Sequence, residues 1–261
     1  MATIVPAVAS SVRIIERLAA DWPEAVSPRD LVHELDLNRS TCYNLLSTLQ
    51  QAGWVRSLGE RAGWTLGPKL LTLTGVTEDM ALKVMQEEID ALSREIGFVV
   101  FITEPDGAGG YVVIAKAEQR FGVRVTVGIG QQFEFSAPAL MNAFHAWSAE
   151  SEFDQVAKRI GITRFTEETL TEPGEVRAEL VRTRDRGYSV SVQQFDAAQS
   201  GVGAPIFGNR DGSVSHVIAS LSFSSELNAD NADRIGKLLA ECGARITERV
   251  GGHLPAVIDS I

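Results

Sequence analysis

Val8, Val12, Ile15 and Leu18 recur at spacings of four, three and three in a polar surround, the apolar stripe of an amphipathic helix. Trp22-Pro23 ends that pattern. Ser27-Pro28-Arg29-Asp30 then supplies a capping serine, a proline at the first helical position and an acid three residues after the cap, so a second helix runs from about Pro28 to Glu34. Asn38 caps a third, in which Cys42, Leu45, Leu46 and Leu49 share one face and Gly53 closes the last turn. Trp54-Val55-Arg56 and Gly63-Trp64-Thr65-Leu66, separated by the polar Ser57 to Ala62 stretch, predict a hairpin of two short strands. Two helices joined by a very short turn and followed by a hairpin make a winged helix-turn-helix.

Residues 70–81 carry few periodic signals and read as a linker. Beyond them Leu82, Met85, Ile89, Leu92 and Ile96 form a narrow helical seam. Phe98 to Thr103 and Tyr111 to Ala115 are strand runs joined by Asp106-Gly107-Ala108-Gly109-Gly110, and Val123, Val125 and Val127 alternate with polar residues as a further strand. Helices are expected at about Pro138 to Trp147, Phe153 to Ile160 and Pro173 to Arg186, the last closed by Gly187. Val190 to Val192, Val202 to Phe207 and Val214 to Phe223 add strands, the last two linked by Asn209-Arg210-Asp211-Gly212. A final helix aligns Ile235, Leu238, Leu239, Cys242 and Ile246 before Gly251-Gly252. The class is α+β, with a mostly antiparallel sheet, a first domain over 1–69, a linker over 70–81 and a second domain over 82–261.

Hydrophobic residues make up 44% and charged residues 22% of the 261, which is globular usage and excludes disorder. No apolar run approaches the roughly 20 residues that span a bilayer, so no membrane partner is expected. The first residues show neither a basic n-region nor an apolar h-region. Cys42 and Cys242 form no disulfide framework and no zinc knuckle, and the expected compartment is a reducing cytoplasm. The net charge of −10 argues against nucleic acid until it is divided. Residues 1–72 balance seven basic against seven acidic side chains, so the whole excess lies in the second part. From Leu37 to Gly59 there is no acid at all.

With Cys42, Leu45, Leu46 and Leu49 turned inward, the third helix must present Ser40, Tyr43, Asn44 and Ser47 outward, with Arg39 and Thr41 in its first turn. All six are hydrogen-bond donors, placed where a recognition helix reaches base edges and phosphates in the major groove. The candidate DNA contacts are therefore Arg39, Ser40, Thr41, Tyr43 and Asn44, with Arg56 and Arg61 on phosphates at the wing. A merely solvated helix face is the plain alternative, and the missing carboxylates weigh against it.

The ordered set Pro6-Ala7-Val8, Leu35-Asp36-Leu37-Asn38-Arg39-Ser40-Thr41, Leu45-Leu46-Ser47-Thr48-Leu49, Ala52-Gly53-Trp54-Val55 and Leu66-Gly67-Pro68 resembles the DNA-binding domain of the IclR family of bacterial transcriptional regulators. The resemblance continues more loosely through Gly130, Ala137 to Ala143, Gly187-Tyr188, Ala204-Pro205-Ile206 and Asp211-Gly212, where that family carries a GAF-like effector-binding domain. It implies a regulator, acting as a repressor on double-stranded operator DNA, whose affinity is controlled by a small-molecule metabolite such as a carboxylic acid, and which assembles as a homodimer or homotetramer. Mapped residue by residue, it places the ligand against Ala139, Leu140 and Met141, with Gln194 or Asp196 opposite and Gly203 and Ser222 on neighbouring strands. Where the family has Ala-Leu-Gly-Lys-Ala this chain has Ala139-Leu140-Met141-Asn142-Ala143, and Gln193-Gln194 replaces paired acids. Those departures point to a ligand bulkier or less acidic than a short keto acid.

If Pro138 opens its helix, the amides of Ala139, Leu140 and Met141 lack intrahelical acceptors and offer an anion site without a basic side chain. An enzymatic C-terminal domain, with the N-terminal one serving for targeting or oligomerisation, is the alternative. Against it, His33, His145, His216 and His253 are scattered, no metal-ligand spacing occurs, and no phosphate-binding or nucleophile-elbow motif is present. No catalytic residue, metal or cofactor is expected; His145 as a base and Cys242 as a nucleophile are weaker readings than an ordinary helix residue and a small core hydrophobe.

Overall fold

The computed structural model describes residues 4–59, 63–72, 74–119, 123–208 and 212–255. The chain divides into two compact units, Met1–Asp79 and Met80–Ile261. In the first, helices α1 (Pro6–Ala20), α2 (Pro28–Glu34) and α3 (Arg39–Gln51) precede strands β1 (Val55–Ser57) and β2 (Trp64–Leu66), which pair antiparallel with Val55 opposite Leu66. The caps form as their side chains dictate: Ser27 Oγ accepts the Asp30 amide at 3.1 Å and Asn38 Oδ1 accepts the Thr41 amide at 2.8 Å. Ile14, Leu18, Leu31, Cys42 and Leu46 are fully buried and weld the three helices together. The inward stripe of α1 is rotated from the expected one. Ile14 and Leu18, four apart, face the core, while Val8 and Val12 lie in solvent at 61% and 47% exposure.

The expected linker is a 3-10 turn at Pro68–Thr72 followed by the first turns of α4 (Thr74–Ile96), a helix that starts well before the apolar seam. A seam reports burial rather than helicity, so the polar opening turns gave no signal. Met85, Ile89, Leu92 and Ile96 are buried, but Leu82 is exposed. In the second unit, β3 (Val99–Pro105), β4 (Tyr111–Ala117), β5 (Gln132–Phe133), β6 (Ser189–Asp196), β7 (Gln199–Phe207) and β8 (Val214–Phe223) form one antiparallel sheet in the order β5-β4-β3-β8-β7-β6. No strand forms at Val123 to Val127. The place beside β4 is taken by 130–133, where Gly130 donates to Val113 and Tyr111 pairs with Phe133, while Lys116 Nζ holds the Val127 carbonyl at 2.9 Å.

One face of the sheet buries Ile102, Val202, Ala204, Ile206 and Ile218 against α4 and α8 (Ala232–Arg249). The other packs Val99, Phe101, Val113, Val217 and Ala219 against α5 (Pro138–His145). Helices α6 (Glu150–Ile160) and α7 (Pro173–Arg186) close a further small core around Phe135, Met141, Phe153 and Val176. Gly236 on α8 is required by close approach, because a Cβ there would fall inside contact distance of three ring carbons of Tyr188. Gly236→Ala is expected to cost about 3 kcal/mol by overpacking and to lower the thermal midpoint of the C-terminal unit by roughly 5–10 °C in calorimetry; an unchanged midpoint would contradict this packing.

Candidate functional site

On α3, Arg39, Ser40, Tyr43, Asn44 and Ser47 are exposed and Thr41 is half-buried, while Cys42 and Leu46 face the core. The capping carboxamide of Asn38 also accepts the Ser40 hydroxyl at 2.9 Å, so Ser40 and Thr41 hold the helix start as well as facing outward. The Arg39 guanidinium lies 5.8 Å over the ring of Tyr43, one turn on. This contact holds a cation beside a phenol on the exposed N-terminal part of α3. Arg56 is exposed on β1. Arg61 lies outside the described residues. The face is thus a continuous donor surface without a carboxylate.

In the second unit, Pro138 opens α5 as expected, and the amides of Ala139 and Leu140 have no acceptor among the described residues. Met141 differs: its amide donates to the Ala137 carbonyl at 2.8 Å and its side chain packs with Phe135 and Phe153. A cavity of about 50 Å³ opens at this helix end, lined by Ala139 and Leu140 together with Phe101, Phe133, Ser191 and Phe195. Gly201 of β7 and Leu221 of β8 complete its floor. The Ser189 hydroxyl donates to the Ala139 carbonyl at 2.6 Å and ties the first turn of α5 to the sheet.

The other expected ligand residues do not line this cavity. Gly203 is on the correct face but under α5, where a Cβ would stand 3.0 Å from the Ala139 carbonyl oxygen and from Ser189 Oγ. Ser222 faces the opposite side of the sheet and donates to Glu226 at 2.6 Å. Asp196 Oδ1 accepts the Ala198 amide at 2.7 Å in the turn between β6 and β7, and the half-buried Gln194 has its Oε1 closed from solvent without a partner among the described residues. Strand parity accounts for Ser222, since residues 219 and 221 of β8, with 189 and 191 of β6, face α5 and a one-residue error exchanges faces; Gln194 and Asp196 lie in or beside the register shift between Val192 and Asp196, where the alternation is broken. Ser191 and Phe195 were the missed residues of β6, and the register shift between Val192 and Asp196 leaves no alternation from which Phe195 could be read.

Among the described residues no group of three or more His, Cys, Asp or Glu side chains is placed to hold a metal ion, and no helix is long and apolar enough to cross a membrane. His145, at the far end of α5, is wedged against Phe135 and Phe153 with centroids at 5.3 and 5.6 Å. Burial pushes its imidazole down to about 4, so it is neutral at pH 7. The folded-state value lies below the unfolded one near 6.5, so the stability is whole above about pH 6.5 and drains away as the pH falls toward 4. Between pH 7 and pH 5 the loss amounts to about 2 kcal/mol. His216 is shifted in the same direction by burial, so the test compares wild type with His145→Gln. Urea denaturation at the two pH values should show a smaller loss in the variant, and identical losses would refute the assignment.

Residues 7–59 match the IclR helix-turn-helix domain, and residues 76–248 match the domain described as bacterial transcriptional regulator IclR C-terminal. The chain belongs to the IclR family. Similar proteins include the HTH-type transcriptional regulator XynR of Escherichia coli, 28% identical over 199 residues, covering 75% of this chain and 77% of the relative. The transcriptional repressor IclR of the same organism is 24% identical over 234 residues, covering 87% and 84%. The crystal structure of an IclR transcriptional regulator from Alicyclobacillus acidocaldarius superposes with a TM-score of 0.62 at 25% identity, covering 95% of this chain and all of the other. The protein is a DNA-binding transcriptional regulator with an N-terminal helix-turn-helix domain and a C-terminal α+β effector-binding domain, and the relatives give no support to an enzymatic reading.

Proposed function

We propose that this IclR-family protein is a cytoplasmic, non-enzymatic repressor that binds its operator as a homodimer, or a homotetramer built from such dimers, and is controlled by a small carboxylic acid held at the start of α5. Residues 1–69 read DNA through Arg39, Ser40, Thr41, Tyr43 and Asn44, with Arg56 and Arg61 on phosphates; residues 82–261 receive the effector. The observation that carries the DNA reading is the exposed, carboxylate-free face of α3. Two recognition helices must reach successive major grooves, which requires at least two copies. Ile4 and Val5 just before α1 and Val8 and Val12 on it, exposed between 47% and 78%, form an outward apolar strip that a second copy would cover. The repressor sense follows the name carried by the Escherichia coli IclR relative.

For the effector, the two free amides of Ala139 and Leu140 and the positive end of the α5 dipole favour an anion. Walls of Phe101, Phe133, Leu140 and Phe195 favour a short apolar body. A volume of about 50 Å³ corresponds to about four water-sized groups. The cavity thus supports a compact acid and gives no support to the bulkier ligand that the sequence suggested. A thermal-shift screen of organic acids with the full-length protein tests this. Short carboxylates at about a hundred times Kd should stabilise by about 2.7 kcal/mol, and a screen in which only large or uncharged metabolites raise the midpoint would overturn it.

A further inference from the structure

A larger cavity, of about 460 Å³, lies at the opposite end of α5, in the same unit but away from the compact cup at its start. Its walls come from the end of the β3–β4 hairpin, the last turn of α5, the connection to α6, the first turns of α6, and Gly212, Ser213 and Val214 at the start of β8. The rings of Tyr111 and Phe144 stack in parallel at 4.7 Å in one wall, and Phe135 and Trp147 contribute further aromatic surface. Flat aromatic walls separated by this much space suit a planar ring. Tyr111 presents its ring to the cavity, while its hydroxyl is closed off behind that wall. One polar group in the walls is left unspent. Among the described residues the His145 imidazole has only ring contacts, and burial holds it neutral, so it offers one donor and one acceptor.

Charge selects among ligands. Among the described residues no lysine or arginine lines this cavity, and the ionised side chain they supply is Glu152, exposed at the rim with no ion pair to another described residue. The C-terminal end of α5 adds partial negative charge. The two ends of one eight-residue helix are therefore of opposite electrostatic preference, the first suited to an anion and the second hostile to one.

We propose that this cavity is a second small-molecule site, taking an uncharged or cationic aromatic ring compound that carries a hydrogen-bond donor. It is independent of the effector assigned to the other end of α5. Three compounds with one ring system and three charges test it by titration calorimetry on the full-length protein: tryptamine, indole and indole-3-acetate. Tryptamine and indole should bind, and indole-3-acetate at least tenfold more weakly than tryptamine. Glu152→Gln should weaken tryptamine about threefold to tenfold and leave indole unchanged. Ser148→Phe fills the cavity and should cost both ligands tenfold or more; Ala149→Trp, placed at an exposed rim position, does the same without touching a buried residue. Gly201→Val, in the other cavity, should leave both affinities intact. Absence of binding by tryptamine and indole, tightest binding by indole-3-acetate, indifference to both filling variants, or loss of binding in Gly201→Val would each overturn the proposal.

Discussion

A protein carrying Tyr43→Ala and Asn44→Ala together is expected to leave no footprint on its operator at concentrations where the wild type protects it fully. Asparagine in a recognition helix discriminates adenine by a bidentate contact worth about 1–3 kcal/mol. Tyr43 adds its own contact and, through the ring under Arg39 at 5.8 Å, the placement of that guanidinium. Together the losses should weaken specific binding at least about a hundredfold. Both side chains are exposed and neither joins the core of Ile14, Leu18, Leu31 and Leu46, so the fold should survive within roughly 0.5 kcal/mol. Tyr43→Phe separates the two contributions, since it keeps the ring under Arg39 and removes only the hydroxyl. Ser40→Ala should matter less, because the Ser40 hydroxyl is already donated to Asn38. Arg56→Ala should weaken all duplexes alike and reduce the salt slope by about one. A footprint that persists in the double variant would exclude this face of α3 as the reading surface.

The N-terminal unit was legible almost to the residue because its signals are local. Ser27 and Asn38 cap the helices their positions announce, Gly53 takes φ of +79° after α3, and Trp64-Thr65-Leu66 pairs with the strand it was expected to meet. The rotation of α1 was not legible. Val8 and Val12 belong to an apolar stripe, and periodicity cannot distinguish a stripe that meets this chain's own core from one left for a partner. In the C-terminal unit both faces of the sheet are covered, one by α4 and α8 and the other by α5. Alternation then no longer tells inside from outside. Ser191 and Phe195 face the cup while Val190 and Val202 face the α4 and α8 side, and polarity gives no guide to that choice. Gln194, Asp196 and Ser222 came from mapping the family resemblance onto this chain; Ser222 landed one residue off in parity, and Gln194 and Asp196 fell in or beside the irregular stretch of β6. Gln193, at φ +56° beside a register shift between Val192 and Asp196, adds a local irregularity that no composition signal marks. The start of α5 was legible because Pro138 fixes it by chemistry rather than by pattern.

The same geometry sets the sharpest test of the effector site, at a glycine that polarity would never select. Gly201 faces Ala139 across the cup, and a Cβ built on it would lie 3.4 Å from the Ser220 carbonyl oxygen and 3.7 Å from the Ala139 Cβ, both ordinary contacts. Its backbone is not left-handed, and a β-branched residue suits a strand interior. Gly201→Val should therefore fold, while its branched side chain fills most of the roughly 50 Å³ that the effector requires. Effector affinity should fall a hundredfold or more, equivalent to at least about 2.7 kcal/mol. Operator affinity without effector should be unchanged, because no group on α3 is touched. The effector's influence on DNA binding should vanish at concentrations that saturate the wild type, and by linkage the operator should no longer alter effector affinity. Gly201→Ala, which adds one carbon, should give an intermediate loss. If Gly201→Val responds to the effector as the wild type does, the regulating ligand binds away from the start of α5; if it fails to bind operator even without ligand, the substitution has disturbed more than the cup, and Gly201→Ala then carries the test.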